Sequence, residues 1–171
     1  MEKFAQWLST TGPSMFIQVN EAWAIPTIQS LHIIGIGLIV GSVFMLSARV
    51  LGWIGRDQTI AQTEQRFGPW LTGALWLLVA TGGLLVVGEP VRELITFSFW
   101  LKMALVVAVA VIAALFHAGV RKAGAAASGG DVGGGKLMAV VAPLLLVCII
   151  LLGRMIAYDH LWGPLSPAAR I

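Results

Sequence analysis

Charged side chains are scarce in this sequence. Only 11% of the 171 residues are Asp, Glu, Lys or Arg, whereas 58% are hydrophobic. Ordinary soluble domains carry about 25% charged residues. No charged residue occurs between Ala22 and Ala48. These deficits exclude an ordinary soluble globular domain and predict an integral membrane protein.

Cysteine and hydrolytic motifs are also lacking. Cys148 is the single cysteine, so an intrachain disulfide is excluded. No HExxH, GxSxG or phosphate-binding loop occurs, so hydrolytic chemistry is not expected. The net charge of +3 comes from basic residues that lie mainly between apolar runs, which predicts membrane orientation and no nucleic-acid partner. Met1–Ser9 has no continuous apolar core, so we expect no cleaved signal peptide.

Four apolar segments dominate the rest of the chain. Each is close to the roughly 20 residues that a spanning helix needs. They cover residues 26–48, 67–88, 97–118 and 137–158. Pro26 suits the first turn of the first span, and Pro143 predicts a kink in the fourth. The fold class predicted for residues 1–171 is therefore a single all-α domain, an integral membrane four-helix bundle.

Residues 1–23 predict an interfacial helical segment before the first span. Phe4, Trp7 and Leu8 recur at helical spacing, and the break at Thr11-Gly12-Pro13 divides the segment into two short pieces. Aromatic side chains such as Trp7 favour the headgroup level of a bilayer. We therefore expect both pieces to lie on the membrane surface.

Basic residues in the loops predict the orientation. One side would hold Arg49, Arg56, Arg66, Arg121, Lys122 and Lys136, and the other Lys3, Arg92 and Arg170. By the positive-inside rule the first set faces the cytoplasm. The prediction is a multi-pass protein of a bacterial-type inner (plasma) membrane with both termini outside. The glycine-rich stretch 124–135 reads as a flexible linker between the third and fourth spans.

Small residues indicate where helices touch. Gly37 and Gly41 form a GxxxG pair in the first span, and Gly82-Gly83 reduces the side-chain bulk of the second. Such residues allow close backbone approach in lipid. We expect the first pair to form a helix contact and the chain to form a homo-oligomer.

Ionisable residues inside the spans are the candidates for function, because they are costly in hydrocarbon and usually face a partner, a cavity or a cofactor. His32, Lys102 and Arg154 fall in the outer half of the predicted bundle. His117 lies fifteen residues after Lys102, or roughly 22 Å along a helix, near the cytoplasmic end. The predicted outer cluster comprises His32, Lys102, Met103, Arg154, Tyr158 and His160, with Glu89, Arg92 and Glu93 at its mouth.

Two metal chemistries suit such a cluster. Haem iron takes histidine or methionine as axial ligands, so His32 is one ligand and His160 or Met103 is the second. Arg154 and Lys102 would hold the propionates or tune the site. Gly35, one turn from His32, would leave room for the flat macrocycle. The alternative is copper bound by His32, His160 and Met103, since imidazole and thioether suit that metal.

Interpretations that need no ligand stay open for most of these residues. Lys102 and Arg154 are within reach of an interface, and such side chains often snorkel to it. His117 is near a basic loop, and His160 follows Asp159 near the end of the last span, so both suit solvated positions. His32 is the hardest of the set to explain without a ligand.

The chain resembles the small bacterial membrane protoporphyrinogen oxidases that bind haem b. Leu31-His32-Ile33-Ile34-Gly35, with Val40-Gly41 and Arg49, is similar to their first conserved helix, and Phe99-Trp100-Leu101-Lys102 through Phe116-His117 is similar to their lysine-to-histidine helix. The first segment also resembles the copper-resistance D proteins. The likeness covers most of residues 27–122. It implies that His32 is the haem-binding histidine and Lys102 a functional lysine. The oxidases' Asn-Glu-Pro type motif is missing after the first span, so the likeness points to haem binding more than to porphyrinogen oxidation.

The functional prediction is a haem b-binding membrane protein in electron transfer or redox chemistry. It would be a membrane oxidoreductase or an electron carrier, and would exchange electrons with a quinone or a redox partner protein within the lipid bilayer. The alternatives are a copper-handling or transport protein and a cofactor-free structural accessory subunit.

Overall fold

The computed structural model describes the backbone of residues 1–125, 135–155 and 158, and the side chains of these residues except 116, 117 and 119–125. Within that part the chain forms α-helices and no strand, which confirms the all-α class. The helices are α1 (Glu2–Ser9), α2 (Gly12–Val19), α3 (Glu21–Val50), α4 (Ile60–Gly88), α5 (Pro90–Ile95), α6 (Phe97–Ala125) and α7 (Gly135–Met155). The predicted linker 124–135 falls largely outside the described residues.

Four of these helices are long and apolar enough to cross a membrane. They are α3, α4, the part of α6 from Phe97 to Leu115, and α7. Lengths of 19 to 30 residues exceed or match the roughly 20 that a bilayer requires. The prediction of a multi-pass membrane protein with four spans is confirmed at this level.

The first span begins five residues earlier than predicted. α3 starts at Glu21, so Pro26 lies inside the helix and the prediction that it occupies the first turn is wrong. Proline lacks the N–H that would bond the carbonyl four residues back. Hydroxyl groups bond carbonyls nearby: Thr27 Oγ1 donates to Trp23 O at 2.7 Å, and Ser30 Oγ donates to Pro26 O at 2.8 Å.

The second span also begins earlier than its apolar run. Thr59 and Gln62 form a capping box, in which Gln62 N donates to Thr59 Oγ1 at 3.1 Å and Thr59 N donates to Gln62 Oε1 at 2.8 Å. This reciprocal pair satisfies two backbone donors and fixes the helix start at Ile60. The pattern Thr59-Ile60-Ala61-Gln62 was visible in the sequence and locates the start better than hydropathy does.

The four spans pack side by side in the order α4, α3, α7 and α6. α3 packs on both α4 and α7, α6 packs on α7, and α6 reaches α4 only over a short stretch. Ile39, Leu71 and Ala74 form the buried contact between α3 and α4, and Leu146 of α7 packs against them. α3 and α7 therefore lie between α4 and α6.

Gly35, rather than Gly37 and Gly41, is the glycine that α3 uses for close packing within the chain. A Cβ atom at Gly35 would lie 2.8 Å from Leu78 Cδ2, so the leucine side chain needs the missing Cβ. A Cβ at Gly37 or Gly41 would have no described atom within 4 Å. The predicted contact through Gly37 and Gly41 is therefore wrong for the described part of this chain, and a homo-oligomer stays a prediction.

The short helices cover one end of the bundle. α1 packs on α5, and Ala5 is buried with Leu94, Ile95 and Phe99. α2 packs on α4 at Gly88, where a Cβ would lie 2.9 Å from Ile17 Cγ2. We refer to α1, α2 and α5 together as the cap.

The cap confirms two short helices before the first span. Phe4 and Trp7 turn outward and are 52% and 61% exposed, whereas Ala5 faces the bundle. Exposed aromatic side chains on a helix beside the spans suit the interface that the sequence predicts. α5 was not predicted, because its six residues are too few to show a period.

Candidate functional site

All four spans contribute residues to one layer beneath the cap. His32 comes from α3, Thr81 and Gly82 from α4, Lys102 from α6 and Gly153 from α7. Thr81 lies seven residues before the end of α4 and Lys102 five residues after the start of α6, or roughly 10 and 8 Å from the cap ends of these helices. We call this set the His32 layer.

The imidazole of His32 is fixed on α4. Its Nδ1 lies 2.7 Å from Thr81 Oγ1, and a Cβ at Gly82 would lie 3.4 Å from His32 Cε1. Thr81 is 4% exposed, so this hydrogen bond is buried. Glycine at position 82 leaves space beside the ring, and the threonine one residue earlier supplies its polar partner.

The hydrogen bonds of Thr81 bear on which ring nitrogen of His32 carries the proton. Thr81 Oγ1 lies 2.6 Å from Leu77 O and 2.7 Å from His32 Nδ1, and a hydroxyl that donates to the carbonyl accepts from the ring. In that arrangement the neutral imidazole donates through Nδ1 and keeps a lone pair on Nε2. Within the described part of the chain, Nε2 has no hydrogen-bond partner. Thus the arrangement presents one oriented nitrogen donor.

Lys102 brings a positive charge to the same layer. A Cβ at Gly153 would lie 3.9 Å from Lys102 Cδ, so the lysine stem passes over a glycine of α7. The ammonium lies 5.3 Å from the centre of the Phe99 ring, and its charge interacts with His32 and with Glu93. No carboxylate among the described residues lies within 4 Å of it.

Glu93 faces Lys102 from the cap. Burial raises the pKa of this carboxyl group, and the positive charges of Lys102 and Arg92 oppose that rise, while Glu89 adds to it. Arg92 forms an ion pair with Glu89 at 2.9 Å on the surface, and Glu93 is not part of that pair. Of the two cations that act on Glu93, Lys102 has the larger electrostatic effect. The sequence had located Glu89, Arg92 and Glu93 at the mouth, but not the electrostatic pairing of Glu93 with Lys102.

Gly35 does not provide room for a macrocycle. Leu78 of α4 packs directly on it, and Gly35 is buried by that contact. The predicted role of Gly35 is therefore wrong, because the space one turn from His32 is filled by a leucine. The glycine beside the ring is Gly82, and the imidazole itself packs on it.

The other predicted ligands do not join His32 in the described structure. Met103 is 39% exposed and shares the outward stripe of α6 with Trp100 and Val107. Arg154 is exposed in the last turn of α7, one residue after Gly153, at the level of Lys102. His160 and the side chain of His117 lie outside the described residues. Tyr158 is described and is 49% exposed.

Thr81 is the residue of the His32 layer that sequence reasoning missed. A threonine in an apolar helix commonly bonds its own backbone, which conceals its second role as an acceptor from another span. Its position directly before Gly82-Gly83 was the available signal, because close approach and a polar acceptor then coincide.

Among the described residues, no three His, Cys, Asp or Glu side chains come close enough together to hold a metal ion. Comparisons with protein-family models, with curated proteins and with solved structures find no match for this chain. Its function must therefore be argued from the His32 layer.

Proposed function

We propose that this chain is a membrane protein that binds haem b through His32 and acts in electron transfer or related redox chemistry. The observation that supports it is the hydrogen bond between His32 Nδ1 and Thr81, whose hydroxyl also bonds Leu77 O. Histidines that ligate metals usually donate their other ring N–H to a fixed acceptor, which sets the tautomer. In this chain Thr81 is that acceptor, and Nε2 is the free nitrogen.

Two features near His32 favour a haem held by one protein ligand. Gly82 lets the imidazole pack closely on α4 and so fixes it, and two cations, Lys102 and Arg154, lie at the same end of the bundle. Haem iron binds one imidazole as a proximal ligand in several protein classes. The described residues offer His32 for that role, and the proposal assigns no second ligand.

The bound haem would supply one-electron redox chemistry. The chain would orient the ligand nitrogen through Thr81, exclude water by placing His32 among the four spans, and favour the electron-rich state through the charge of Lys102. Electrons would be exchanged with a quinone or a redox partner protein at the membrane. These roles deepen the haem proposal and depend on it.

The copper alternative has less support in the geometry. It needs His32, Met103 and His160 together, and Met103 turns outward on α6 while His160 lies outside the described residues. The haem reading needs only the imidazole whose orientation is described.

The proposed setting is a bacterial-type plasma membrane with both termini outside, which would put the His32 layer in the outer half. The basic loops support this orientation. A reporter fused at Gly129 should be cytoplasmic and one fused after Ile171 should be external. Two reporters on one side would contradict the four-span topology.

Haem content of purified variants tests the proposal. Wild-type protein from haem-replete cells should show a Soret band and a pyridine haemochrome of b type. His32→Ala should insert normally and lose most of the haem, since alanine lacks the ligand nitrogen. His117→Ala is the control, because residue 117 lies roughly 22 Å along α6 from Lys102. A wild-type protein without haem would refute the proposal, and haem lost only from His117→Ala would move the site to the other end.

A further inference from the structure

We propose that Lys102 binds a carboxylate of the ligand held at His32, and that Glu93 takes up a proton as that carboxylate binds. The inference rests on the proposed function and identifies which cation of the site receives a haem propionate. It also adds a proton exchange that the ligand set alone does not imply.

The ammonium of Lys102 has no hydrogen-bond acceptor among the described residues. It lies over the face of Phe99, with 5.3 Å between Nζ and the ring centre. An ammonium group has three donors, and leaving them unmet inside a bundle costs free energy. Lysines placed this way usually meet an anion, so the ammonium is available for a ligand carboxylate.

Glu93 balances that charge from a distance when no ligand is bound. The two groups interact electrostatically, but they are more than 4 Å apart, since the described ion pair of the cap is Arg92–Glu89. The Glu93 side chain accepts no hydrogen bond in the described structure.

The entry of a second carboxylate changes the proton affinity of Glu93. Two carboxylates that share one cation repel each other, and the one with the weaker hydrogen bonding takes up a proton. Glu93 is already biased toward protonation by burial, and Lys102, Arg92 and Glu89 are the charged groups that act on it. Ligand binding would convert the Glu93 carboxylate to the neutral acid with a proton from solvent.

Arg154 is the rival cation, and its position disfavours it. It is exposed in the last turn of α7, whereas Lys102 lies over Gly153 inside the bundle and interacts with His32. A charge–carboxylate bond is stronger where water is excluded. We therefore assign the carboxylate to Lys102.

The test compares haem b with its dimethyl ester, in which both propionates are blocked. Full-length apoprotein from haem-limited cells is titrated with each compound, and the Soret absorbance reports binding. Wild type should bind the free acid about tenfold more tightly than the ester near pH 7. Lys102→Met should remove this preference, while Arg154→Met should keep most of it.

The proton exchange is tested with Glu93→Gln in the same assay. Wild-type affinity for the free acid, relative to the ester, should fall by about tenfold between about pH 6 and pH 8, because each binding event must protonate Glu93. Glu93→Gln should show no such fall. Titration of His32 affects both compounds alike and cancels in the ratio, and the comparison with Glu93→Gln separates the contribution of Glu93.

Each outcome bears on a different claim. Equal binding of acid and ester by wild type would overturn this inference and leave haem binding through His32 intact, and this comparison needs no variant to fold. A preference lost in Arg154→Met but kept in Lys102→Met would also overturn it. If wild type bound neither compound, the proposed function itself would fail.

Discussion

The contact between α3 and α4 has two layers with opposite packing, an inner apolar layer and the His32 layer. In the inner layer Ile39, Leu71 and Ala74 fill the contact with apolar groups. In the His32 layer, Gly82 removes a side chain and an imidazole occupies the contact through a buried hydrogen bond to Thr81. The inner layer holds only apolar groups, whereas in the His32 layer a ring nitrogen and an ammonium have no hydrogen-bond partner among the described residues. Under the proposed function, the inner layer contributes stability and the His32 layer contributes binding.

The largest stability effect should come from the inner layer. Leu71→Ala removes a side chain that is 7% exposed and leaves a cavity against Ile39. We expect a loss of about 2–5 kcal/mol in unfolding free energy, with haem content per folded protein unchanged. Denaturant or thermal unfolding in detergent measures the first and the Soret-to-protein ratio the second. A Leu71→Ala protein that lost its haem but kept its full stability would contradict the roles assigned to the two layers.

Overpacking at Gly35 should cost somewhat less. Gly35→Leu forces Leu78 away from its position and should destabilise the protein by about 1–3 kcal/mol. Gly41→Leu is the matched control, since it makes the same change on the same helix where a Cβ meets no described atom. Unfolding temperatures of the two variants should separate clearly. If Gly41→Leu were the more damaging, the GxxxG pair would be the important contact after all, most simply between copies.

Removing the acceptor in the His32 layer should affect binding more than stability. Thr81→Val keeps the shape of the side chain but deprives Nδ1 of its partner. Loss of such outer-shell partners typically weakens metal-site affinity by 10–100-fold, and we expect about that reduction for haem. Thr72→Val is a suitable control, because Thr72 also bonds its own helix, at Gly68 O, but contacts no histidine. Equal haem affinity in both variants would mean that Thr81 does not orient the ligand.

Much of the fold was predictable from the sequence, and the reasons are physical. A bilayer imposes a minimum length of apolar helix, so four spans could be counted from composition alone. Depth along those spans grouped His32, Lys102 and Arg154 at one end, as the structure has them. Which small residue packs could not be predicted, because Gly35 and Gly37 differ only in the face of α3 that they occupy. That face is set by neighbouring helices such as α4 and α7.

The site was predicted less completely than the spans. His32 was identifiable because a lone imidazole in hydrocarbon demands a partner, but that partner is a threonine with no charge to reveal it. Met103 directly follows Lys102, and a single residue step turns a helix side chain by about 100°. That rotation separates a lysine inside the bundle from a methionine on its outer surface.

The smallest expected effect concerns the pH dependence of the unloaded protein. Burial raises the pKa of Glu93 in the folded state, so the folded protein binds a proton more readily than the unfolded chain does. The stability tied to this group is therefore fully present below the ordinary glutamate pKa and is lost as pH rises through the raised value. Wild type should melt at a lower temperature at about pH 8 than at about pH 5, and Glu93→Gln should reduce that difference. An identical pH difference in the variant would show that other groups cause it.

The most direct test of the central claim is chemical rescue of the ligand nitrogen. His32→Gly should be purified without haem, and added imidazole should restore a Soret band and b-type haemochrome, because the free base can occupy the vacated position beside Gly82. Imidazole should leave the wild-type spectrum and its haem content unchanged. A His32→Gly protein that retains haem without imidazole would contradict ligation by His32 and with it the proposed function.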